Sequence, residues 1–367
     1  MTQTAPTSMP APVATGAAAR FDGEWVIDVR NVDKQYKSGL LGRGRVHALR
    51  GIDMRVHRGS VFGLLGPNGA GKSTLVKILM TVIRATRCDG TFLGAPVGDK
   101  ATLRRVGYLP EHHRFPDYLT AAQVLDFYGA LSDVPRADRR RRSRELLELV
   151  GLTNWSDKKV RGFSKGMRQR LGIANTLMSD PDLVVLDEPT DGVDPVGRRD
   201  IRNILARLRD EGRTVFLNSH LLSELEMVCD RVAILVQGVV SSQGTIEELT
   251  RHSRRYEIEV GQESPAAVAA AVSSLSMNVP LSVSGAIVTI RTDDPTAIQP
   301  ALDALRARDV VIRGVRPARA SLEDLFMQAV TDPGTGRAIA PGAASAARGE
   351  AGNAAREGLG IETGARP

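Results

Sequence analysis

A chain of 367 residues with 42% hydrophobic and 25% charged side chains is long enough for a large core and one or two further modules. Cys88 and Cys229 are the only cysteines, and they lack CxxC spacing, so neither a disulfide framework nor a zinc site is supported and a reducing cytoplasm fits best. The formal net charge of +7 raises the question of a nucleic-acid partner, which depends on where the charges lie.

Composition divides the chain into four parts. Residues 1–22 are rich in Pro, Ala and Thr and lack the regions of a secretion signal, so a disordered tail is predicted. Residues 23–250 alternate strand and helix patterns, residues 255–330 form a smaller module, and residues 331–367 have too few large apolar side chains for a core. No apolar run reaches the roughly 18 to 20 residues that a spanning helix needs, so we predict that the chain does not cross a membrane alone.

A phosphate-binding loop is predicted after the apolar strand "SVFGLLG". Gly66, Gly71, Lys72 and Ser73 fit the pattern G-x-x-x-x-G-K-[ST], and the helical pattern "TLVKILMTVI" follows. Glycines let backbone N–H groups converge on phosphate oxygens, and the helix start adds positive charge. In such loops the lysine bridges the β- and γ-phosphates and the serine ligates Mg²⁺. We prefer this interpretation to a plain Gly-rich turn because the flanking strand and helix are those that the motif requires.

Much of the positive charge lies in "RADRRRRSR", residues 136–144. The run passes directly into the helical pattern "ELLELVGL", so a solvated helix face is the favoured interpretation. Attraction to anionic lipid headgroups is the main alternative. We therefore expect no nucleic-acid partner.

The stretch "RGFSKGMRQR", residues 161–170, has the look of either a damaged phosphate-binding motif or a plain helix start. Ser164 and the backbone of Gly166 are groups that bind phosphate at a helix N-terminus. Lys165 and Met167 are side chains that a tight cradle would not obviously accept. The stretch by itself leaves both interpretations open.

Two adjacent carboxylates end a buried strand in "DLVVLDEPTDGVD". In a parallel sheet they would lie at the carboxyl edge, where ligands bind. Asp187, as the last strand residue, can hold Mg²⁺ through water or Ser73, while Glu188 can orient and deprotonate an attacking water. The alternative is an acidic helix-capping turn.

A β-α-β crossover follows these carboxylates. The helical pattern "VGRRDIRNILARLRDEG" lies between the apolar runs "DLVVLDEP" and "RTVFLNSH", and "RVAILV" adds a further strand. Runs that are apolar on both faces indicate buried parallel strands, so we predict an α/β fold with a doubly wound sheet. The helix stripe consists of Ile201, Ile204, Leu205 and Leu208, with Gly212 as the stop signal.

The module at residues 255–330 is predicted to be a small α+β domain. Strand patterns "YEIEV", "AIVTI" and "VVIRGV" alternate with helix patterns, the first of which is Ala/Val-rich, and "ASLEDLFMQAV" ends the module as an amphipathic helix. Nothing in it suggests a catalytic site. Packing or dimer support is favoured over substrate-linked regulation.

Together these motifs resemble the ATP-binding subunit of bacterial ABC transporters, of the daunorubicin/multidrug or polysaccharide export branch. The resemblance implies a P-loop NTPase (ABC ATPase) core with a helical subdomain at 23–250. It makes "GPNGAGKST" the Walker A motif, "GYLPEHH" the Q-loop, "FSKGM" the signature, "VVLDEPT" the Walker B motif and "DGVD" the D-loop. It assigns ATP binding to Tyr36, Gly66, Pro67, Asn68, Gly69, Ala70, Gly71, Lys72, Ser73, Thr74 and Glu111.

Other roles also follow from the resemblance. Glu188 and His220 are the implied catalytic residues, His220 as sensor of the γ-phosphate, and Ser73 and Asp187 the implied Mg²⁺ ligands. Asp194 matches the D-loop aspartate, and it is also a good helix cap before Pro195. Tyr36 matches the aromatic that stacks on adenine, with an ordinary edge-strand aromatic as the alternative. For His220 the alternative is a satisfied loop histidine.

This sequence departs from the family pattern at two places. Glu111 stands where the Q-loop glutamine belongs, which keeps a hard oxygen for Mg²⁺ but adds an anion beside the nucleotide. In the signature, Lys165 and Met167 replace a glycine and a glutamine, while Ser164 and the Gly166 backbone remain. These are the groups that a phosphate needs, and Lys165 would add favourable charge.

The resemblance also implies partners. In the family, the signature of one subunit covers the ATP bound by another, so the simplest working unit is a homodimer that encloses two ATP molecules. Separate transmembrane permease subunits would place the chain at the cytoplasmic face of the cell membrane. The family's coupling helix docks after the Q-loop, where Phe115, Tyr118, Leu119 and Leu125 either form an apolar docking surface or pack the helical subdomain.

A soluble ABC ATPase that acts on ribosomes or DNA is the alternative function. Relatives on ribosomes normally carry two cassettes in one chain, and DNA-repair relatives carry long coiled-coil insertions. Neither pattern is present in this sequence. An energy-supplying subunit of an exporter is therefore the favoured function.

Overall fold

The computed structural model describes residues 21–38, 44–250, 254–261, 268, 270, 279–319 and 321–331. The two predicted tails, 1–22 and 331–367, thus lie outside the described residues except for residues 21, 22 and 331. Contacts divide the described residues into two units, which separate between Gln243 and Gly244 and again between Gln328 and Ala329. The assignment of 255–330 to an accessory domain remains a proposal.

Strands and helices alternate through the first unit. Its helices are α1 (Lys72–Leu79), α2 (Ala121–Leu131), α3 (Arg136–Leu149), α4 (Lys165–Thr176), α5 (Pro195–Asp210) and α6 (Leu222–Val228). Its strands are β1 (Trp25–Ser38), β2 (Gly44–His57), β3 (Val61–Leu65), β4 (Arg87–Phe92), β5 (Ala95–Pro96), β6 (Val106–Leu109), β7 (Leu183–Asp187), β8 (Thr214–Asn218), β9 (Arg231–Val236) and β10 (Val239–Thr245), the last of which reaches into the second unit. Among the described residues, no helix is both long and apolar enough to span a membrane.

A six-stranded sheet in the order β10-β9-β3-β8-β7-β6 positions the site. The strands from β9 to β6 pair in parallel, and every residue of β3, β7 and β8 is buried. Parallel strands need helices on both faces, which explains runs that are apolar throughout. The doubly wound α/β prediction is confirmed, and the carboxyl ends of β3, β7 and β8 meet at one edge.

A second sheet, in the order β2-β1-β4-β5, was not predicted from the sequence. Its pairs are antiparallel, and the β1–β2 register shifts around Asn31, whose φ is 51°. Such bulges interrupt the alternation of apolar and polar side chains by which strands are recognised. The buried side chains of this sheet join those of β3 and α1 in one core.

Helices α2, α3 and α4 pack together as the helical subdomain that the resemblance implied. Helix α2 begins at a capping box, in which Thr120 accepts from the backbone of Gln123 and the Gln123 side chain accepts from the backbone of Thr120. Leu125 is fully buried there, so it packs this subdomain and cannot serve as a docking surface. Tyr118, just before α2, is 71% exposed and remains available.

One arginine of the basic run is buried, which corrects the solvated-face interpretation for that position. Arg142 on α3 is fully buried, and its guanidinium donates to the carbonyl oxygens of Met178 (3.0 Å) and Leu177 (2.6 Å). Those carbonyls follow the last turn of α4, where acceptors lack intrahelical donors. Asp180 lies 3.8 Å from the same guanidinium. Arg142 therefore holds α3 to the end of α4.

Replacing Arg142 by Met should lower the free energy of unfolding by about 1 to 3 kcal/mol, because it leaves the buried carbonyl of Met178 without its donor. The Leu177 carbonyl keeps the N–H of Asp180, and Asp180 keeps its ion pair with Arg213 at 2.6 Å. Urea unfolding followed by circular dichroism measures this change. Arg141→Met is the matched control: Arg141 forms ion pairs with two carboxylates of its own helix near the surface. That variant should change stability by less than about 1 kcal/mol. Equal losses in both would show that Arg142 has no special role.

The second unit is α+β, as predicted. Its elements are α7 (Ile246–Thr250), β11 (Arg254–Val260), β12 (Leu281–Ser284), β13 (Ile287–Ile290), α8 (Gln299–Arg306), β14 (Ile312–Arg319) and α9 (Leu322–Val330), the last of which extends beyond the unit. An antiparallel sheet in the order β12-β13-β11-β14 packs on α8 around Ile258, Val288 and Leu305. The Ala/Val-rich helix pattern lies outside the described residues apart from Val268 and Ala270.

Candidate functional site

The loop between β3 and α1 is built on glycines that no larger residue can replace. A Cβ on Gly66 would overlap the carbonyl oxygen of Leu235, and one on Gly71, whose φ is 110°, would lie 2.7 Å from the carbonyl oxygen of Ala48. Helix α1 begins directly afterwards, at Lys72. The free N–H groups of its first turn therefore adjoin the loop, which is the arrangement of an anion cradle.

Lys72 is held inside this loop by the loop's own backbone. Its side chain is 6% exposed, and Nζ donates to the carbonyl oxygen of Gly66 at 2.8 Å. Burial lowers the pKa of the Lys72 ammonium, while the nearby Glu188, Asp187 and Glu111 act in the opposite direction. The ammonium is thus a preorganised cation facing three carboxylates.

A cavity of about 360 Å³ opens on the loop. It brings together parts of four sequence motifs that are far apart in the chain. The lining residues are Ala48, Asn68, Gly69, Gly71, Lys72, Ser73, Thr74, Glu111, Glu188, Asp191 and His220.

Asp187 ends β7 beside this cavity and is 5% exposed. Nδ2 of Asn218, the last residue of β8, donates to its carboxylate. Burial raises the pKa of Asp187 and the Glu111 anion adds to the rise, whereas the Asn218 hydrogen bond and Lys72 oppose it. Asp187 is therefore a buried carboxylate whose negative charge is only partly compensated by its neighbours.

Glu188 has a positive φ of 51°, an uncommon conformation for a glutamate. Its N–H donates to the carbonyl oxygen of Asn218 at 2.8 Å, which fixes the turn at the sheet edge. Nδ1 of His220 donates to Oε2 at 2.7 Å, and the His220 N–H lies 3.3 Å from the same oxygen. Burial raises the pKa of Glu188, and His220 opposes the rise. His220 thus fixes the orientation of the Glu188 carboxylate in the wall of the cavity.

Glu111 lies after β6 and lines the cavity with a side chain that is 43% exposed. Its charge acts on the groups behind it. Burial, with further contributions from Asp187 and Glu111, raises the pKa of the Tyr108 hydroxyl to about 12. The Glu111 carboxylate is thus close enough to raise the pKa values of both Asp187 and Lys72.

Ser164 lies at the N-cap of α4, where its Oγ accepts from the N–H of Met167 at 3.2 Å. A Cβ on Gly166 would lie 3.1 Å from Val193 Cγ1, so the glycine allows close packing on the loop before α5. Among the described residues, none of Ser164–Met167 lines the cavity at Lys72. The helix start at the signature therefore lies beside the cavity, which it approaches through the contact of Lys165 with Asp191, without lining it.

Lys165 is engaged within its own chain. Its Nζ lies 3.1 Å from Oδ2 of Asp191, and the side chain covers Gly192, whose φ is 60°. Asp191 also lines the cavity at Lys72. The structure thus shows Lys165 neutralising a carboxylate of the same chain, where the sequence suggested added charge for a phosphate.

Comparison with known proteins agrees with these motifs. The ABC transporter family model matches residues 49–191. An uncharacterized ABC transporter ATP-binding protein of Synechocystis sp. is 40% identical over 311 residues, which cover 84% of this chain and 86% of the relative. The chain belongs to the ABC transporter ATP-binding protein family.

One relative of this ABC ATPase carries the name of the drug-resistance branch, and a solved structure matches the ABC cassette. The daunorubicin resistance ATP-binding protein DrrA3 of Streptomyces coeruleorubidus is 34% identical over 307 residues, which cover 83% of this chain and 92% of the relative. The solved cbiO1 of Clostridium perfringens, part of the ABC transporter complex cbiONQ, is 28% identical with a TM-score of 0.55, over 62% of this chain and 91% of that one.

The fold is also that of the cassette MJ0796, solved as a dimer in a post-hydrolysis state with ADP and Pi. It is 24% identical, with a TM-score of 0.53 over 59% of this chain and 98% of that one. The predicted P-loop NTPase fold, the ATPase activity and the resemblance to ABC ATP-binding subunits are confirmed.

Several residues of this ABC ATPase with implied roles lie outside the lining of the cavity: Gly66, Pro67 and Ala70 of the loop, Asp187, the signature residues Ser164–Met167, Tyr36 and Asp194. Tyr36 on β1 is 37% exposed, with Lys34 Nζ 5.0 Å from its ring centroid. Asp194 occupies the N-cap position of α5, yet its side chain makes no capping hydrogen bond, and Pro195 starts the helix. The roles of Tyr36 in stacking and of Asp194 in the D-loop stay proposals.

Sequence reasoning missed two polar residues of the site. Asn218 fixes Asp187, and Asp191 lines the cavity while pairing with Lys165. Asn218 ends an apolar strand immediately before Ser219 and His220, so the rule that ligands bind at the carboxyl ends of parallel strands pointed to it. Asp191 opens the stretch "DGVD" that was quoted for Asp194, but its role depends on Lys165, a partner in another motif.

Proposed function

We propose that this ABC ATPase powers an exporter. It binds ATP and Mg²⁺ in the cavity at Lys72, hydrolyses ATP as a homodimer, and docks on a separate transmembrane permease at the cytoplasmic face of the cell membrane. The observation that carries the proposal is the Glu188 carboxylate, held by His220 in the wall of the cavity that Lys72 lines. Export is supported by the relative whose name links it to daunorubicin resistance.

Lys72, Glu188 and His220 have different roles in the proposed hydrolysis. Lys72 holds the β- and γ-phosphates together with the N–H groups of the loop. His220 donates a hydrogen bond to Oε2 of Glu188, so Oε1 is the oxygen left to take a proton from the attacking water. Burial makes Glu188 a stronger base than an exposed glutamate, since its pKa is raised. General-base help of this kind is typically worth about 10²- to 10⁴-fold in rate.

The donor set fits Mg²⁺. The Ser73 hydroxyl lines the cavity, and the buried Asp187 carboxylate behind it supplies a second hard oxygen. Within the described residues, no group of three or more His, Cys, Asp or Glu side chains could hold a metal alone. This agrees with Mg²⁺, which protein sites bind through one or two side chains with substrate phosphates and water. When bound, the ion neutralises charge on the β- and γ-phosphates.

The homodimer is proposed because one chain does not complete its own site. Ser164 caps α4 with its Oγ, so its O–H remains to donate to a phosphate, yet it does not line the cavity of its own chain. A second copy related by a two-fold axis would place each signature over the other chain's nucleotide. The dimeric fold relative MJ0796 supports this arrangement.

Copurification tests the transport proposal. The full chain should copurify with a multi-helix membrane protein that is co-expressed with it. Inside-out vesicles containing the complex, whose nucleotide sites face the medium, should accumulate a transported compound when ATP is added to the medium. Salt-sensitive binding of ribosomes or DNA without a membrane partner would instead support the alternative function. Movement of the compound in the opposite direction, toward the side that the nucleotide sites face, would contradict export but not the transport function.

Replacing Glu111 by Gln should preserve ATPase turnover or raise it by at most about fivefold. The change keeps a hard oxygen and removes one exposed negative charge near the nucleotide, and the net free energy of an exposed charge interaction is about 1 kcal/mol or less. Steady-state ATPase against Mg²⁺ concentration measures it, with Asp117→Asn on the exposed segment before α2 as the control for one lost charge. A severe loss confined to Glu111→Gln would show that the carboxylate itself is required.

A further inference from the structure

Three exposed arginines of α3 are left unused by the proposed function. Arg136, Arg140 and Arg144, here called the basic stripe, are four residues apart and therefore follow one face of the helix. All three are exposed, and within the described chain no carboxylate forms an ion pair with any of them. The basic stripe is therefore a row of three exposed guanidinium groups without ion-pair partners in the described chain.

The carboxylates around the stripe are engaged elsewhere. Asp126 on α2 accepts from Arg139 at 2.8 Å. Asp138 and Glu145 both pair with Arg141, at 3.4 and 3.3 Å. Because these three acids are paired with other arginines, they do not neutralise the basic stripe.

A groove of about 440 Å³ between α2 and α3 is lined by the basic stripe. Ser143 also lines it: the residue is 7% exposed, and its Oγ has no hydrogen-bond partner among the described residues. A guanidinium group can donate two parallel hydrogen bonds to a phosphate, and a hydroxyl adds a further donor. The groove therefore has the chemistry of a phosphate site with one unsatisfied polar group.

The same surface carries apolar side chains. Phe127 and Leu131 on α2 are 49% and 67% exposed. They lie one and two turns beyond Gln123, which lines the groove, and so share its helix face. A lipid surface accepts cationic and apolar side chains together, whereas a nucleic-acid backbone rewards only the charge. The combination favours a membrane.

We propose that the basic stripe, with Phe127 and Leu131, binds anionic phospholipid headgroups at the membrane surface. None of these residues lines the nucleotide cavity. Each arginine near an anionic bilayer strengthens binding about fivefold, so three contribute about a hundredfold. The contribution falls as salt shortens the range of charge interactions to about 10 Å or less.

Vesicle cosedimentation of the full chain tests the proposal. The protein should bind phosphatidylcholine vesicles that contain phosphatidylglycerol and should bind pure phosphatidylcholine vesicles weakly. The triple variant Arg136→Gln, Arg140→Gln, Arg144→Gln should bind the anionic vesicles about a hundredfold more weakly. Its ATPase activity should equal that of the unmodified chain, which shows that it is folded.

A second triple variant removes the same charge elsewhere. Arg58, Arg84 and Arg104 are exposed and form no ion pair within the described residues, so Arg58→Gln, Arg84→Gln, Arg104→Gln is the matched control. It should keep most of the vesicle binding. Equal losses in both triples would show attraction by net charge alone and would overturn the proposal. Binding of duplex DNA but not of anionic vesicles would overturn it as well.

Discussion

Glu188→Gln should lower the rate of ATP hydrolysis by at least about a hundredfold and leave ATP binding intact. The amide keeps the size of the side chain and an oxygen for the His220 Nδ1–H, but it cannot take a proton from water. Lys72 and the glycine loop, which would hold the phosphates, are unchanged. In the proposed homodimer the variant should accumulate as an ATP-bound dimer. Single-turnover hydrolysis, equilibrium ATP binding and light scattering measure the three quantities.

Glu226→Gln provides the matched control for this change. Glu226 lies exposed on α6, so the same isosteric substitution should leave hydrolysis unaltered. Undiminished turnover in Glu188→Gln would remove Glu188 from the role of base. Loss of ATP binding would show instead that the carboxylate, at its positive φ, is needed to shape the cavity.

Ser164→Arg should abolish hydrolysis while the chain still binds ATP at its own Lys72. The arginine would remove the hydroxyl and fill the space at the N-terminus of α4, which in the proposed dimer belongs to the partner's phosphate. The chain's own cavity should be unaffected because Ser164 does not line it. Loss of the cap also costs about 1 kcal/mol of stability, so folding must be checked in parallel. Ser132→Arg, at the exposed C-cap of α2, controls for the added arginine.

Mixing two inactive variants separates a site shared between chains from one within a chain. A dimer of Lys72→Ala with Ser164→Arg contains one fully intact shared site and one doubly damaged site. Random mixing should therefore recover up to roughly a quarter of the unmodified activity, given two-fold symmetric pairing. A site confined to one chain would recover nothing, because each chain then carries one lesion.

The sequence was most informative about those parts of the site that consist of consecutive residues. The glycine loop before Lys72 and the buried strand ending at Asp187 each combine a local backbone demand with a local hydrophobic pattern, and both were found as predicted. The helix from Pro195 to Asp210 followed from its apolar stripe in the same way. The alternation of strands and helices along the chain then predicted parallel strands, whose carboxyl ends lie at one edge of the sheet.

Features that depend on distant partners were not predictable. The burial of Arg142 rests on carbonyls at the end of α4, and in the sequence it is one of several similar arginines. Leu125 was compatible with docking or packing until α3 and α4 were seen around it. The first antiparallel sheet was missed because bulges near Asn31 interrupt the period of two. In each case the deciding contact is tertiary.

The ion pair between Lys165 and Asp191 has a consequence for the two nucleotide sites of the proposed dimer. Asp191 borders the chain's own cavity, whereas Lys165 begins the helix whose capped end would serve the other chain. A nucleotide that displaces Asp191 would thus alter the affinity of the second site, and thermodynamic reciprocity requires the second nucleotide to alter the first by the same factor. Binding at the two sites would then be cooperative, with a coupling free energy that passes through this single exposed pair.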